Sequence, residues 1–227
     1  MKPFYIVLFL LILSSFLTVA ILYPSLPDQI PSHWNAAGEV DGYLPKFWGL
    51  FLFPFILSGL VLLFLVIPRI DPLRANILQF LPYYEWFVVI FALFLLSLQA
   101  TTILWAYGIL VPINTVMSLG IGILFFYIGI LLGHARRNWF IGIRTPWTLS
   151  SNTVWKKTHR LGSVLFMVAG LIALLGTLFP AYAIWLILVP VLALTGITVV
   201  YSYLLYEEMR RKGMLERDTV RSPEIRV

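Results

Sequence analysis

Six apolar runs, each close to the length that crosses a bilayer, govern what this chain can become. A hydrocarbon core of about 30 Å is spanned by roughly 20 residues of helix at about 1.5 Å each. The runs are Phe4–Tyr23, Phe47–Ile67, about Tyr84–Tyr107, about Thr115–Gly133, about Leu161–Phe179 and about Ala181–Tyr206, with a turn at Pro180 between the last two. At 60% hydrophobic and 11% charged residues, the sequence has far more apolar surface than a soluble core of 227 residues would hide. It predicts an all-α membrane protein: a six-helix transmembrane bundle with an ordered outer loop and a basic cytoplasmic loop. The first run is longer than the roughly 7–15 apolar residues of a signal peptide, so it reads as a retained helix. No repeat or low-complexity linker divides the chain, and residues 1–227 read as one integral membrane domain.

Charge sets the expected orientation. All sixteen Lys and Arg residues except Lys46 fall on one side of the six spans. By the positive-inside rule, both termini, the Arg69–Arg74 connection and the 134–160 loop lie in the cytoplasm, and the 24–46 loop faces outward. The net charge of +6 therefore marks topology and contact with anionic lipid headgroups rather than a nucleic-acid partner. Tyr23, Trp48, Tyr84, Trp105, Tyr107 and Tyr182 stand where interfacial anchors are expected. In the tail, residues 207–227, the pairs Glu207/Arg211 and Glu208/Lys212 have i,i+4 spacing and extend the last helix toward a stop near Gly213.

Ionisable groups inside a membrane usually mark function, and here they are nearly absent. Glu85 lies at a helix end beside Pro82, and Gln99, Thr101 and Thr102 give the third span a polar patch suited to interhelical hydrogen bonds. There is no cysteine, HExxH, GxSxG or Walker loop, so catalytic residues, metal ligands and cofactors are not expected and the chain does not read as an enzyme. The outer loop has four prolines, and Gly38 and Gly42 invite positive-φ turns. Within it, His33, Trp34, Asn35 and Gly38 form the candidate ligand-binding set, because an imidazole, an indole and an amide combine stacking with hydrogen bonding. His33 with Asp28, Glu39 and Asp41 matches no metal-ligand spacing, and turn formation is the favoured role for these residues.

The 134–160 loop is the most specific stretch, with six basic residues and no acidic one. Ser150 or Ser151 can cap a helix running into the fifth span, on which Val154, Thr158, Leu161 and Leu165 share one face and Lys156 and Arg160 another. An amphipathic juxtamembrane helix with tryptophans at the headgroups would account for this pattern. Gly142 before Ile143-Arg144-Thr145-Pro146-Trp147 instead describes a constrained turn presenting one arginine.

Asn138, Phe140, Gly142 through Leu149, Val154, Trp155 and Thr158 through Arg160 resemble the signature of the SdpI family of bacterial immunity proteins. The Leu26-Pro27 to Gly42 segment, with His33-Trp34-Asn35 and Gly38, resembles the small N-terminal domain of unknown function often found in its members. One departure is His134, where the family pattern has asparagine. The resemblance implies resistance to a secreted, membrane-active peptide toxin, and recruitment of a cytoplasmic repressor to the membrane. It also implies that Asn138, Gly142, Arg144, Thr145, Pro146, Trp147, Trp155, His159 and Arg160 are structural or partner-binding. A transporter or receptor for a small molecule or peptide, and a membrane-embedded hydrolase, are the competing expectations.

Overall fold

In the computed structural model, which describes residues 3–215, the six apolar runs are six helices long and apolar enough to cross a membrane. They are α1 (Pro3–Leu22), α2 (Lys46–Ile70), α4 (Leu81–Ala106), α5 (Ile113–His134), α7 (Asn152–Leu175) and α8 (Ala183–Arg211). Two short helices, α3 (Arg74–Leu78) and α6 (Pro146–Ser150), lie in connections at the same end of the bundle. Pro54 and Pro68 within α2 and Pro190 within α8 leave those helices unbroken, as membrane helices allow. Large apolar side chains stay exposed along the spans, Phe9 and Ile21 on α1 and Leu192 and Val200 on α8 among them, and form the surface that lipid covers.

The chain is organised in two halves. α1 and α2 pack on each other and on α4, while α7 packs on α5 and α8; the seam between the halves is mainly α4 against α5. The α5–α7 contact is the most extensive, and small residues permit it: a Cβ on Gly170 would stand 2.5 Å from Phe126 N and 2.7 Å from Gly122 O. Without a hydrophobic drive between helices in lipid, such close backbone approach supplies the attraction. In the first half, Gln99 Nε2 donates to Ser15 O at 3.0 Å and Ser15 Oγ donates to Gln99 Oε1 at 2.5 Å, joining α4 to α1. This is the expected interhelical bond; Thr101, by contrast, returns its hydroxyl to Ser97 O of its own helix.

Several sequence expectations need correction. Tyr84 is no interfacial anchor: it is buried, and its hydroxyl donates to Phe64 O at 2.9 Å. Glu207 pairs with Arg210 at 2.7 Å, one residue closer than the expected Arg211, whereas Glu208 does pair with Lys212. The basic amphipathic segment and the fifth span are one helix from Asn152, capped by Ser151 as expected. Lys2 and the tail charges from Glu216 onward lie outside the described residues.

Candidate functional site

The 24–46 loop folds as an antiparallel hairpin of β1 (Gln29–Trp34) and β2 (Val40–Pro45). Its anchor is Ile30, fully buried with Val19, Leu26, Leu50 and Ile103; Gly49 lets it in, since a Cβ there would lie 2.5 Å from Ile30 Cβ. The tip is built by Asn35, whose Oδ1 accepts from Ala37 N at 2.9 Å and Glu39 N at 3.1 Å while its Nδ2 donates to Glu39 Oε2 at 3.1 Å. Gly38 has φ +84, which only glycine adopts at little cost. Gly42 does not have the positive φ expected of it. It sits in β2 opposite His33, where a Cβ would come within 2.9 Å of His33 Cβ, so its contribution is space.

Beneath the hairpin is a cavity of about 470 Å³, walled by α2, α4, α5 and α8 and roofed by residues 32–36. His33 and Trp34 both border it. His33 is exposed, with Nδ1 2.5 Å from Asp41 Oδ1. Trp34 sets its ring edge-on to Trp105 at 6.0 Å, and its buried Nε1 has no hydrogen-bond partner. That N–H is closed off from the cavity's open space, so it is the ring and not its nitrogen that Trp34 presents there. Thr102 reaches the same cavity from α4. Asn114, which sequence reasoning did not single out, ties the roof down: its Nδ2 donates to Ala36 O and Pro180 O, both at 3.2 Å. An asparagine in the first turn of an apolar run has no pattern that sets it apart from an ordinary helix-end polar residue.

At the opposite end of the bundle, the 134–160 segment is folded on itself. Asn138 is fully buried; its Nδ2 donates to Arg136 O and Ile141 O at 2.8 Å, and its Oδ1 accepts from Phe140 N at 2.9 Å and Ile141 N at 2.6 Å. Gly142 has φ +123, and a Cβ on it would strike His159 Nε2 at 2.4 Å. His159 Nε2 accepts from Ile143 N at 3.0 Å, which leaves the ring proton on Nδ1 to donate to Trp155 O at 2.9 Å. Trp155 is stacked on His159 at 3.9 Å and donates from Nε1 to Ala135 O at 2.9 Å. With 2% of its surface exposed, Trp155 is a core residue and not the headgroup-level tryptophan that an amphipathic helix would carry.

The next turn is capped twice. Thr145 and Thr148 form a reciprocal capping box around α6, Pro146 starts that helix, and Ser151 Oγ accepts from Val154 N at 3.2 Å to cap α7. Thr145 Oγ1 lies 3.1 Å from Ser202 Oγ, and Trp147 packs on Tyr203 at 5.1 Å, so the turn is pinned to α8. Arg144 is exposed and donates from Nη1 to Trp139 O at 2.8 Å; Arg160 is exposed on α7. Across the seam, buried Asp71, also missed by sequence reasoning, accepts from Trp139 N at 2.8 Å, and Asn76 Nδ2 donates to Arg137 O at 2.8 Å. His134, the departure from the family pattern, stacks on Tyr83 at 3.7 Å. The structure thus brings Asn138, Gly142, Thr145, Trp155 and His159 together, and leaves Arg144 and Arg160 on the surface. His33, Trp34, Asn35 and Gly38 form a separate cluster at the other end.

The molecule so described is a multi-pass helical membrane protein with a hairpin-roofed cavity at one end and a hydrogen-bonded cap at the other. Residues 10–57 match a domain of unknown function (DUF1648), and residues 134–202 match the SdpI/YfhL protein family. The chain is 31% identical over 205 residues, 90% of its length, to Immunity protein SdpI of Bacillus subtilis (strain 168), of which 96% is covered. It belongs to the SdpI family. No solved structure matches it.

Proposed function

We propose that this membrane immunity protein protects its cell against a secreted, membrane-active peptide toxin by engaging it in the hairpin-roofed cavity. Its termini and the 134–160 cap face the cytoplasm, and the chain acts as one domain. The supporting observation is a cavity of about 470 Å³, large enough for a ligand, bordered by His33 and Trp34 of the hairpin. His33 contributes a rim contact, while Asn35 and Gly38 hold the roof in shape. This reading needs no catalysis: the described histidines are taken up by Asp41, Ile130 O, and the Trp155 and Ile143 backbone. Sidedness is supported by the described basic residues, all of which except Lys46 lie in or beside the elements at the cap end.

The cap's role in this reading is to hold the halves together through Asn138, Gly142, Thr145, Pro146, Trp147, Trp155 and His159. Its exposed Arg144, Lys156, Lys157 and Arg160 meet anionic headgroups and offer a surface to a soluble repressor. Expression in a toxin-sensitive bacterium should restore growth at a dose of an SdpI-type peptide toxin that kills the parent strain. Equal killing with the protein present in the membrane would overturn the reading. If uptake or turnover of the peptide accompanied survival, a transporter or hydrolase would replace it.

A further inference from the structure

The hairpin-roofed cavity is apolar where it is deep and polar only near its roof. Ile113, Met117 and Ile121 of α5 line it down to about 12 Å at 1.5 Å per residue, close to the roughly 15 Å thickness of one hydrocarbon leaflet. Its polar residues are Ser32, His33 and Asn35 of the hairpin, Asn114 in the first turn of α5, and Thr102 in the last turn or so of α4. A ligand dissolved in water would meet the hairpin from above, yet the roof there is tied to α5 by the Asn114–Ala36 bond. The side is different. Phe53 of α2 and Leu188 of α8 both border the cavity, but α2 is held on α1 and α4 whereas α8 is held on α5 and α7. Ile184 and Leu188 are also exposed on the bundle surface, at 43% and 40%.

From this arrangement we infer that the ligand arrives sideways, out of the outer leaflet, through the gap between α2 and α8. The occupant is the apolar segment of a peptide already inserted in the membrane. One feature favours a peptide over a lipid chain. β1 is hydrogen-bonded to β2 on one side only, and its residues 32–34 border the cavity, so a backbone laid beside them meets an open strand edge. The inference rests on the immunity reading and specifies how its ligand reaches the site; a toxin that acts on membranes is concentrated in the leaflet the gap faces.

The test uses the full chain in phosphatidylcholine and phosphatidylglycerol vesicles whose phosphatidylcholine is brominated near the glycerol end of the acyl chains. Trp34 emission is read as the difference between the parent and Trp34→Phe, which keeps an aromatic ring in place. Lipid bromine should quench that emission, and the peptide toxin that the parent protects against should relieve the quenching. Unquenched Trp34, or quenching that toxin leaves unchanged in a protein that does protect cells, would overturn the lateral route while leaving immunity standing. Relief by toxin without protection of cells would leave the route standing and sink the immunity reading. Relief by added unbrominated lipid but not by toxin would make the site a lipid site and overturn the peptide as occupant.

Discussion

Gly142 and Arg144 lie two residues apart in one turn and differ sharply in what the fold requires of them. A Cβ at position 142 would meet the imidazole nitrogen that accepts the Ile143 amide, and its φ of +123 is one that L residues rarely adopt. Gly142→Ala should therefore cost about 2 kcal/mol or more, read as a lower unfolding temperature in detergent. Arg144 makes a single bond to Trp139 O from the surface. Arg144→Lys keeps the charge but loses the planar fork, and should change stability by less than about 1 kcal/mol. A larger loss would mean that the guanidinium is built into the bundle; unchanged stability with failed repressor recruitment would make it a docking residue. The residue pattern flagged both positions, and the constrained turn at Gly142 was legible from glycine placed before a proline turn. What could not be read was that Trp155 and His159 fill the space beside it, because a tryptophan in a basic segment is equally suited to headgroups or a core.

Helix packing turns on glycines that look alike in sequence. Gly170 on α7 and Gly129 on α5 sit against backbone of the opposite helix, with a Cβ on Gly129 reaching Ser163 O at 2.6 Å, whereas Gly59 on α2 and Gly196 on α8 face open space. Gly170→Ala and Gly129→Ala should push α5 and α7 apart and lower the yield of folded protein. Gly59→Ala and Gly196→Ala should be neutral, or stabilising by up to about 1 kcal/mol from helix propensity. Size-exclusion profiles and thermal unfolding of the four variants check this, and a reversed order would discard the close-packing account. The spans themselves were legible within a few residues because length and hydropathy suffice for them. The hairpin was not: Pro31 lies within β1 and a bulge interrupts its pairing near His33, so alternation gave no strand signal in a segment expected only to be ordered.

Across the whole molecule, the two halves meet along α4 and α5 and are cross-tied at both ends, by Asn114 to Ala36 O near the hairpin and by Asp71 and Asn76 to the Trp139–Arg137 stretch near the cap. Asp71→Asn keeps one acceptor oxygen but weakens the bond to Trp139 N, so it should loosen the cap more than Asn114→Ala does. The difference should appear as protease sensitivity between residues 134 and 151. Orientation belongs to this scale too, because it depends on charge summed over every connection. With an even number of spans, both termini share a side, and the concentration of arginine and lysine there is the basis for the proposed cytoplasmic placement of that side. The chain has no cysteine, so His33→Cys and Arg144→Cys each introduce a single reactive thiol on an exposed position. A membrane-impermeant maleimide applied to intact cells should label residue 33 and leave residue 144 untouched until the membrane is opened. Labelling of 144 alone would invert the protein, leaving the hairpin cavity facing away from a secreted toxin and its α2–α8 gap in the wrong leaflet. Labelling of both from outside would break the even-span topology on which the hairpin, the seam and the cap are all arranged.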